Sequence, residues 1–360
     1  MTTGSLNLEV RLAEHADLAP ISVFLPALGG PLFAERFPGG TPQDFYRWKY
    51  FQNPQGEAIV GIATAGSSVV SVVAATPKRI WLSGRVVLAY ELGDFLTDGN
   101  YRKRGLFSEL IELVCREASA RGAPLVYVRP NDVSFPILAT KLSFFEAQRM
   151  DARRFVLPSH TLSRKVGIPA SLVRLSGLDT GLQRFCIPRF PGGTVTVIPV
   201  ERFGEEIDRL WTRASPDYAV ALVRDSSYLN WRFSDCPTPY KMWCALRNGD
   251  AAGYLVASAD RTVPEAAILE LFAESHDEEA VRALLAVGMD SLLRSGIRSV
   301  NTWTLQGSSG SAAHALLRRA LPIRRKQHLH LAFRILSSDA IKLPLASQNW
   351  HFTLGDSDGA

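Results

Sequence analysis

The ten residues FYRWKYFQNP at positions 45–54 return as YLNWRFSDCP at 228–237, pairing Trp48 with Trp231, Lys49 with Arg232, Tyr50 with Phe233 and Pro54 with Pro237. A sequence that returns in this way writes one supersecondary plan twice, which restricts the fold more than composition does. The patterns downstream follow the same order. Strand-like 89–97, helix-like 105–122 and strand-like 125–130 are echoed by AAILELFA (266–273), DEEAVRALLAVGMDSLLRSG (277–296) and SVNTWT (299–304). With 360 residues, 46% of them hydrophobic, there is enough chain for two cores. The expected organisation is a first domain over 1–157, a Pro/Gly-punctuated linker over 158–194, a degenerate second domain over 195–336 and a tail over 337–360.

Within the first copy, IVGIATAGSSVVSVVAAT (59–76) carries no charge and is nearly as long as a membrane span of about 20 residues. Its β-branched content and central AGSS divide it into two runs of strand length, so a buried hairpin is predicted and no membrane span. RIWLSGRVVLAYELGDFL adds a strand, a Ser83-Gly84 turn and a longer strand, which makes an antiparallel meander. Leu106, Leu110, Leu113, Val114 and Ala118 then recur at helical spacing and Gly122 closes the helix. A buried strand (125–130) and a short helix (134–142) complete the unit.

Lys and Arg exceed Asp and Glu by five, which suits a phosphate-bearing ligand and is too little to imply nucleic acid. Cys115, Cys186, Cys236 and Cys244 form no CxxC pair, so a reducing cytoplasm fits better than a zinc ribbon or a disulfide framework. The opening MTTGSLNLEV has neither a basic n-region nor an apolar h-region, and secretion is not expected. His328 and His330 could share a strand face, but no third ligand stands at a convincing spacing, so no metal is predicted.

The segment ELGDFLTDGNYRKRGLFSELIELV (91–114) starts as a strand, turns through polar residues and ends as a helix. A helix N-terminus exposes unpaired N–H groups and the positive end of its dipole. Arg102, Lys103 and Arg104 add charge beside Gly105, and a pyrophosphate suits that place. A solvated basic turn is the plain alternative.

This segment resembles motif A of the GNAT superfamily of acyl-CoA transferases, Arg/Gln-x-x-Gly-x-Gly/Ala, through Arg102 and Gly105, with Phe107 where the family usually has Gly or Ala. NDVSFPILATKLSF (131–144) is similar to the family's later segment through Asn131, Ser134, Lys141, Leu142 and Phe144; Ser143 replaces a glycine and no tyrosine supplies a general acid. The likeness covers roughly residues 58–157. It implies an α/β (α+β) fold of two tandem GNAT-like domains, each a mixed, mostly antiparallel sheet flanked by helices. It implies acetyl-CoA (acyl-CoA) as co-substrate, with the pyrophosphate on Arg102, Lys103, Arg104, Gly105, Leu106 and Phe107. Leu96 and Thr97 would offer backbone N–H groups to the thioester, and Asn131 and Ser134 would complete the cofactor site.

Transfer to an amine needs a base, oxyanion donors and an acid for the thiolate. The resemblance makes Glu91 the first candidate base, eleven residues before Arg102, with Asp94 second. Strict alternation puts Glu91, Gly93, Phe95 and Thr97 on one face and Asp94 on the other, so only one carboxylate should face the cleft. A structural ion pair with an arginine is the competing role for Glu91. In the second copy Glu274, Asp277, Glu278 and Glu279 replace the basic loop and would repel a pyrophosphate. Trp48 and Trp231 suit a core better than an acceptor site. The tail NWHFTLGDSD fits either a strand whose Asp356 and Asp358 flank an acceptor or a frayed acidic terminus. The implied function is direct ternary-complex transfer of an acetyl group from acetyl-CoA to a small-molecule primary amine, with an amino sugar or sugar nucleotide as the attractive class. A homodimer is compatible with the chain. The alternative is a non-catalytic acyl-CoA-binding or scaffold protein.

Overall fold

The computed structural model describes residues 8–29, 40–190, 192–259, 263–306, 311–337, 343–345 and 349–357. After β1 (Leu8–Leu12) the described residues form α1 (Leu18–Gly29) and α2 (Pro42–Phe51). Helix α2 begins with a capping box: Thr41 Oγ1 accepts from the Asp44 N–H at 3.2 Å and the Asp44 carboxylate accepts from Thr41 N at 3.0 Å. The uncharged stretch then forms the predicted hairpin of β2 (Ile59–Ala65) and β3 (Ser68–Leu82). Ser83 (φ 46°) and Gly84 (φ 95°), both left-handed as a tight two-residue hairpin turn requires, lead into β4 (Arg85–Thr97). The unit continues with α3 (Leu106–Ala120), β5 (Leu125–Val128), α4 (Phe135–Lys141) and β6 (Phe145–Val156).

The segment expected to link the copies folds as α5 (Pro158–Val166), α6 (Ala170–Leu175) and α7 (Leu178–Cys186). The second half opens with β7 (Val195–Val200), α8 (Glu205–Ala214), β8 (Val220–Leu222) and α9 (Ser226–Leu229). Next come β9 (Lys241–Arg247), β10 (Asp250–Ala259), β11 (Glu265–Ala273) and α10 (Glu278–Arg294). It closes with β12 (Ser299–Leu305), α11 (Ala312–Ala320), β13 (Ile323–Ile335) and β14 (Trp350–His351).

All the strands join one mostly antiparallel sheet with the path β1-β2-β3-β4-β5-β13-β6-β12-β11-β10-β9-β7, and β8 and β14 branch from it. Strand β13, from the second half, lies between β5 and β6 of the first, while β6 pairs on its other side with β12. The halves thus share strands. Helix α3 covers one face of the first half through Leu110, Ile111 and Val114, and α1 and α2 cover the other through Ile21, Leu25, Tyr46 and Tyr50. The α3 contact is close enough that a Cβ on Gly61 of β2 would stand 3.1 Å from Val114 Cγ2. Helices α10 and α11 cover the second half in the same manner as α3 covers the first.

The two repeated tryptophans meet at the junction. Their rings stack at 4.9 Å between centroids and 21° between planes. Trp48 Nε1 donates to the Trp231 carbonyl at 2.8 Å, and Trp231 Nε1 donates to the Trp48 carbonyl at 3.2 Å. The repeat read from the sequence is therefore a reciprocal contact in space, and both rings are core. Residues 350–357 are buried, so the tail is not frayed; Asp358 lies outside the described residues.

Candidate active site

The site begins where two parallel strands part. Strand β4 pairs with β5 from Ala89–Leu125 to Leu92–Val128; β5 then ends while β4 runs on to Thr97, leaving its edge open toward the departed strand. On the other edge, Val72 pairs with Leu96 but Ala74 pairs with Gly93, so two residues of β4 oppose one of β3. This is a β-bulge, and Asp94 in it is left-handed at φ 51°. The bulge resets the alternation. Contrary to the expectation from period two, Glu91 and Asp94 line the same cavity, of about 180 Å³, together with Lys49, Arg129 and Ser357.

Each carboxylate is held by a cation, and for Glu91 the arginine pairing weighed as its competing role is present. Glu91, buried, takes Arg129 Nη2 at 3.1 Å and Lys78 Nζ at 3.6 Å. Both cations lean on the second half: Arg129 stacks over the Trp303 ring at 4.8 Å, and Lys78 donates to Tyr228 Oη at 3.0 Å and lies 5.5 Å from the Trp231 ring. Asp94 accepts from Lys49 Nζ and Tyr50 Oη, both at 2.7 Å, which ties the bulge to α2. Lys49 had a signal, since it stands in the repeated segment, and Arg129 follows directly on β5. Ser357 had none, because it arrives from the far end of the chain.

Past the bulge, Leu96 and Thr97 finish β4. Ser71 Oγ donates to the Leu96 carbonyl at 3.1 Å and the Thr97 carbonyl accepts from Arg102 Nε at 3.2 Å. Arg102 is thereby drawn back onto the strand end, and with Lys103 and Arg104 it is exposed. Lys103 (φ 63°) and Gly105 (φ 85°) are left-handed, and the space around Gly105 is open, with no atom within 4 Å of a Cβ built there. Helix α3 starts at Leu106, so the N–H groups of Leu106 and Phe107 precede its first intrahelical acceptor. The Phe107 ring packs edge-on against Phe95 at 5.4 Å. This turn can receive a phosphate through main-chain N–H groups backed by three cations. Asn131 and Ser134 are bonded to each other: Asn131 Oδ1 accepts from Ser134 N at 2.9 Å and Ser134 Oγ at 3.1 Å, an Asx turn that starts α4.

The second half has a similar parting of strands, filled from within. Strands β11 and β12 pair only from Glu265–Ser299 to Ala267–Asn301. Beyond that, the tail lies on β11: Gly355 N donates to the Leu269 carbonyl at 2.8 Å, and a Cβ on Gly355 would stand 3.1 Å from that oxygen. Thr353 Oγ1 donates to Glu270 at 2.7 Å, and Asp356 pairs with the buried Arg224 at 2.7 Å. At the start of α10, Asp277 accepts the Ala280 N–H at 3.0 Å and binds Arg247 at 2.6 Å. Burial pushes the Asp277 carboxyl up, but Arg247 and the helix N–H groups outweigh it and hold the group below its usual range. The N-terminus of α10 is thus capped by the chain's own carboxylate.

His330 joins Glu146 and, at 3.3 Å, Asp132, with its ring stacked on Phe135; among the described residues no group of three or more His, Cys, Asp or Glu could hold a metal. Cys115 is buried in α3 and burial pushes its thiol up to about 12, which removes it as a nucleophile. Among the described residues no helix is long and apolar enough to cross a membrane.

Residues 32–138 match the family model of the acetyltransferase (GNAT) domain. No curated protein sequence matches the chain. Among solved structures, a probable N-acyltransferase of Enterococcus faecalis V583 is similar at 12% identity and a TM-score of 0.63, over 92% of this chain and 73% of that one. A GCN5-related N-acetyltransferase of Anabaena variabilis is similar at 14% identity and a TM-score of 0.61, with the same coverage. The N-myristoyltransferase of Saccharomyces cerevisiae, with myristoyl-CoA bound, is similar at 11% identity and a TM-score of 0.59, over 92% of this chain and 83% of that one. At these identities the structural likeness is one of fold. Together with the matched domain, it gives the chain a GNAT-like fold in which residues 32–138 carry the match to the acetyltransferase (GNAT) domain.

Proposed function

We propose that the first copy, residues 1–157, binds acetyl-CoA at the Arg102–Phe107 turn and transfers its acyl group directly to a small primary amine. The second copy, 195–336, and the tail, 337–360, serve as its supporting wall, joined through 158–194. The observation that carries this reading is the bulge that brings Glu91 and Asp94 into one cavity beside the open edge of β4. The pantetheine arm would run along that edge, with the thioester oxygen at the N–H groups near Leu96 and Thr97. Asp94, less buried than Glu91 and beside Lys49, is the better placed of the two to accept a proton from an incoming amine, directly or through water. Glu91, clasped by Arg129 and Lys78, positions and orients.

The cavity's volume and its charged rim favour a compact polar acceptor, for which an amino sugar is the leading class and a sugar nucleotide an extended variant. Thiol release from acetyl-CoA across a panel of amines tests the proposal. Asp94→Asn is expected to lower turnover about 100-fold or more while calorimetry still records CoA binding. An Asp94→Asn protein that turns over like the parent sinks the assignment. CoA binding without thiol release for any amine would favour a non-catalytic acyl-CoA-binding protein.

A further inference from the structure

Helices α5 to α7 stand apart from the cavity just described, and their surface is unlike the rest of the molecule. Of the fifteen large apolar side chains exposed among the described residues, six fall between Val166 and Phe185. Leu175 is 83% exposed, Phe185 74% and Val166 64%. Leu172 and Leu175 are three apart on α6, and Leu178 and Phe185 seven apart on α7, so each pair shares one face of its helix. The inward sides of these helices are already engaged. Val173 and Cys186 are buried, and the buried Asp179 accepts the Ser159 N–H at 2.8 Å, which fastens α7 to the start of α5. The exposed residues are therefore left over from the fold's own core, and a patch of this kind marks a contact surface.

Charge selects the partner. Residues 158–190 contain Arg164, Lys165, Arg174, Arg184 and Arg189, all exposed, against the single buried acid Asp179. That is an excess of four in a chain whose overall excess is +5. Beside α5 a cavity of about 620 Å³ opens against the start of β13, lined by Arg154, Arg164, Lys165, Arg324 and Arg325 and by no carboxylate. Two of these cations are paired, Arg154 with Glu265 and Arg324 with Asp151. His160, also in the lining, is depressed by burial and then by the charge of Arg164, in keeping with a positive local potential. Ile323 is exposed on the same wall.

A soluble phosphate compound would explain the groove and leave the leucines unexplained; an apolar protein partner would do the reverse. A bilayer with anionic headgroups explains both, because basic side chains meet lipid phosphates while apolar ones enter the headgroup boundary. We propose that α5–α7 and the adjoining basic groove dock this protein on an anionic lipid surface. The docking does not depend on which reaction the cleft performs.

Flotation of the full chain with vesicles of phosphatidylcholine alone, and of phosphatidylcholine and phosphatidylglycerol in equal parts, tests the docking. The chain is expected to float with the mixed vesicles only, and less as salt rises. Each basic residue removed weakens partitioning roughly fivefold, so Arg164→Ala with Lys165→Ala weakens it about 25-fold. Leu175→Asp with Phe185→Asp abolishes flotation and leaves the melting temperature and the far-ultraviolet dichroism unchanged. Absence of flotation with anionic vesicles overturns the proposal, as does equal flotation with both kinds or parent-like flotation of both variants. Calorimetric binding of inorganic pyrophosphate that is lost in Arg164→Ala with Lys165→Ala, without flotation, would assign the groove to a soluble phosphate instead. A dimer in light scattering that Leu175→Asp dissociates, again without flotation, would assign the patch to a second copy.

Discussion

The buried groups of the second half make stability depend on pH in a way that can be separated residue by residue. Burial, reinforced by the charge of Arg318, holds the His314 imidazole down to about 4, and burial also holds His351, 5.3 Å away between ring centroids, well below its ordinary value. Burial pushes the Glu270 carboxyl up to about 7; Arg224 opposes this and Asp356 adds to it. For the histidines the unfolded chain binds the extra proton, so their contribution is whole above pH 6.5 and is lost as pH falls toward 4. For Glu270 the folded chain binds it, so that contribution is whole below pH 4.5 and is lost as pH rises through about 7. Between these limits two histidines oppose one glutamate. Glu270→Gln removes the opposing proton and should steepen the acid-side loss of stability by about 1.4 kcal/mol per pH unit relative to the parent. His314→Gln should flatten it by a similar amount. Urea midpoints measured from pH 6.5 down to 4.5 give both slopes, and a Glu270→Gln slope equal to the parent's would reject the assignment.

At the scale of single elements, Ser143 is the clearest local conflict. It closes α4 at φ 57°, where the Leu142 and Phe144 N–H groups both return to the Leu138 carbonyl, and the backbone there asks for glycine. Ser143→Gly should stabilise the fold by about 0.5–1 kcal/mol, while Gly105→Ala, at φ 85° with open space around it, should cost about the same without a clash. Denaturant titration reads both, and a destabilised Ser143→Gly would show that the serine side chain matters more than its backbone. The meander, the α3 helix and the left-handed turn at Gly105 were legible because period two, period 3.6 and the Gly105 signal act within a few residues. The placement of Asp94 was not, since a bulge is a mismatch between two strands and alternation counts along one. The fate of the tail was illegible for a similar reason: Gly355 is buried by a slot between β11 and β12 that only the folded second half creates.

The whole molecule behaves as one body even though the sequence repeats. An internal duplication suggests two units that could fold in turn, and the 158–194 segment reads as a connection between them. The strand order, however, places β13 between β5 and β6 and gives β6 a second partner in β12, so each half completes the sheet of the other. The stacked pair Trp48 and Trp231 and the Lys78 and Arg129 contacts to Tyr228 and Trp303 fasten the same junction from the core side. Removing the second half would strip β5 of one neighbour and β6 of both, exposing three unpaired edges together with half of a tryptophan stack, a combination that favours aggregation over an independent fold. Calorimetry should therefore show a single unfolding transition with the van't Hoff and calorimetric enthalpies in agreement. Residues 1–157 expressed alone should be insoluble or lack a dispersed amide spectrum, and should regain order when 158–360 is supplied in trans. A well-dispersed spectrum from 1–157 alone would mean that the exchange of strands is an embellishment of two self-sufficient domains, and that the Glu91 cluster can form without the aromatic residues that here hold its cations.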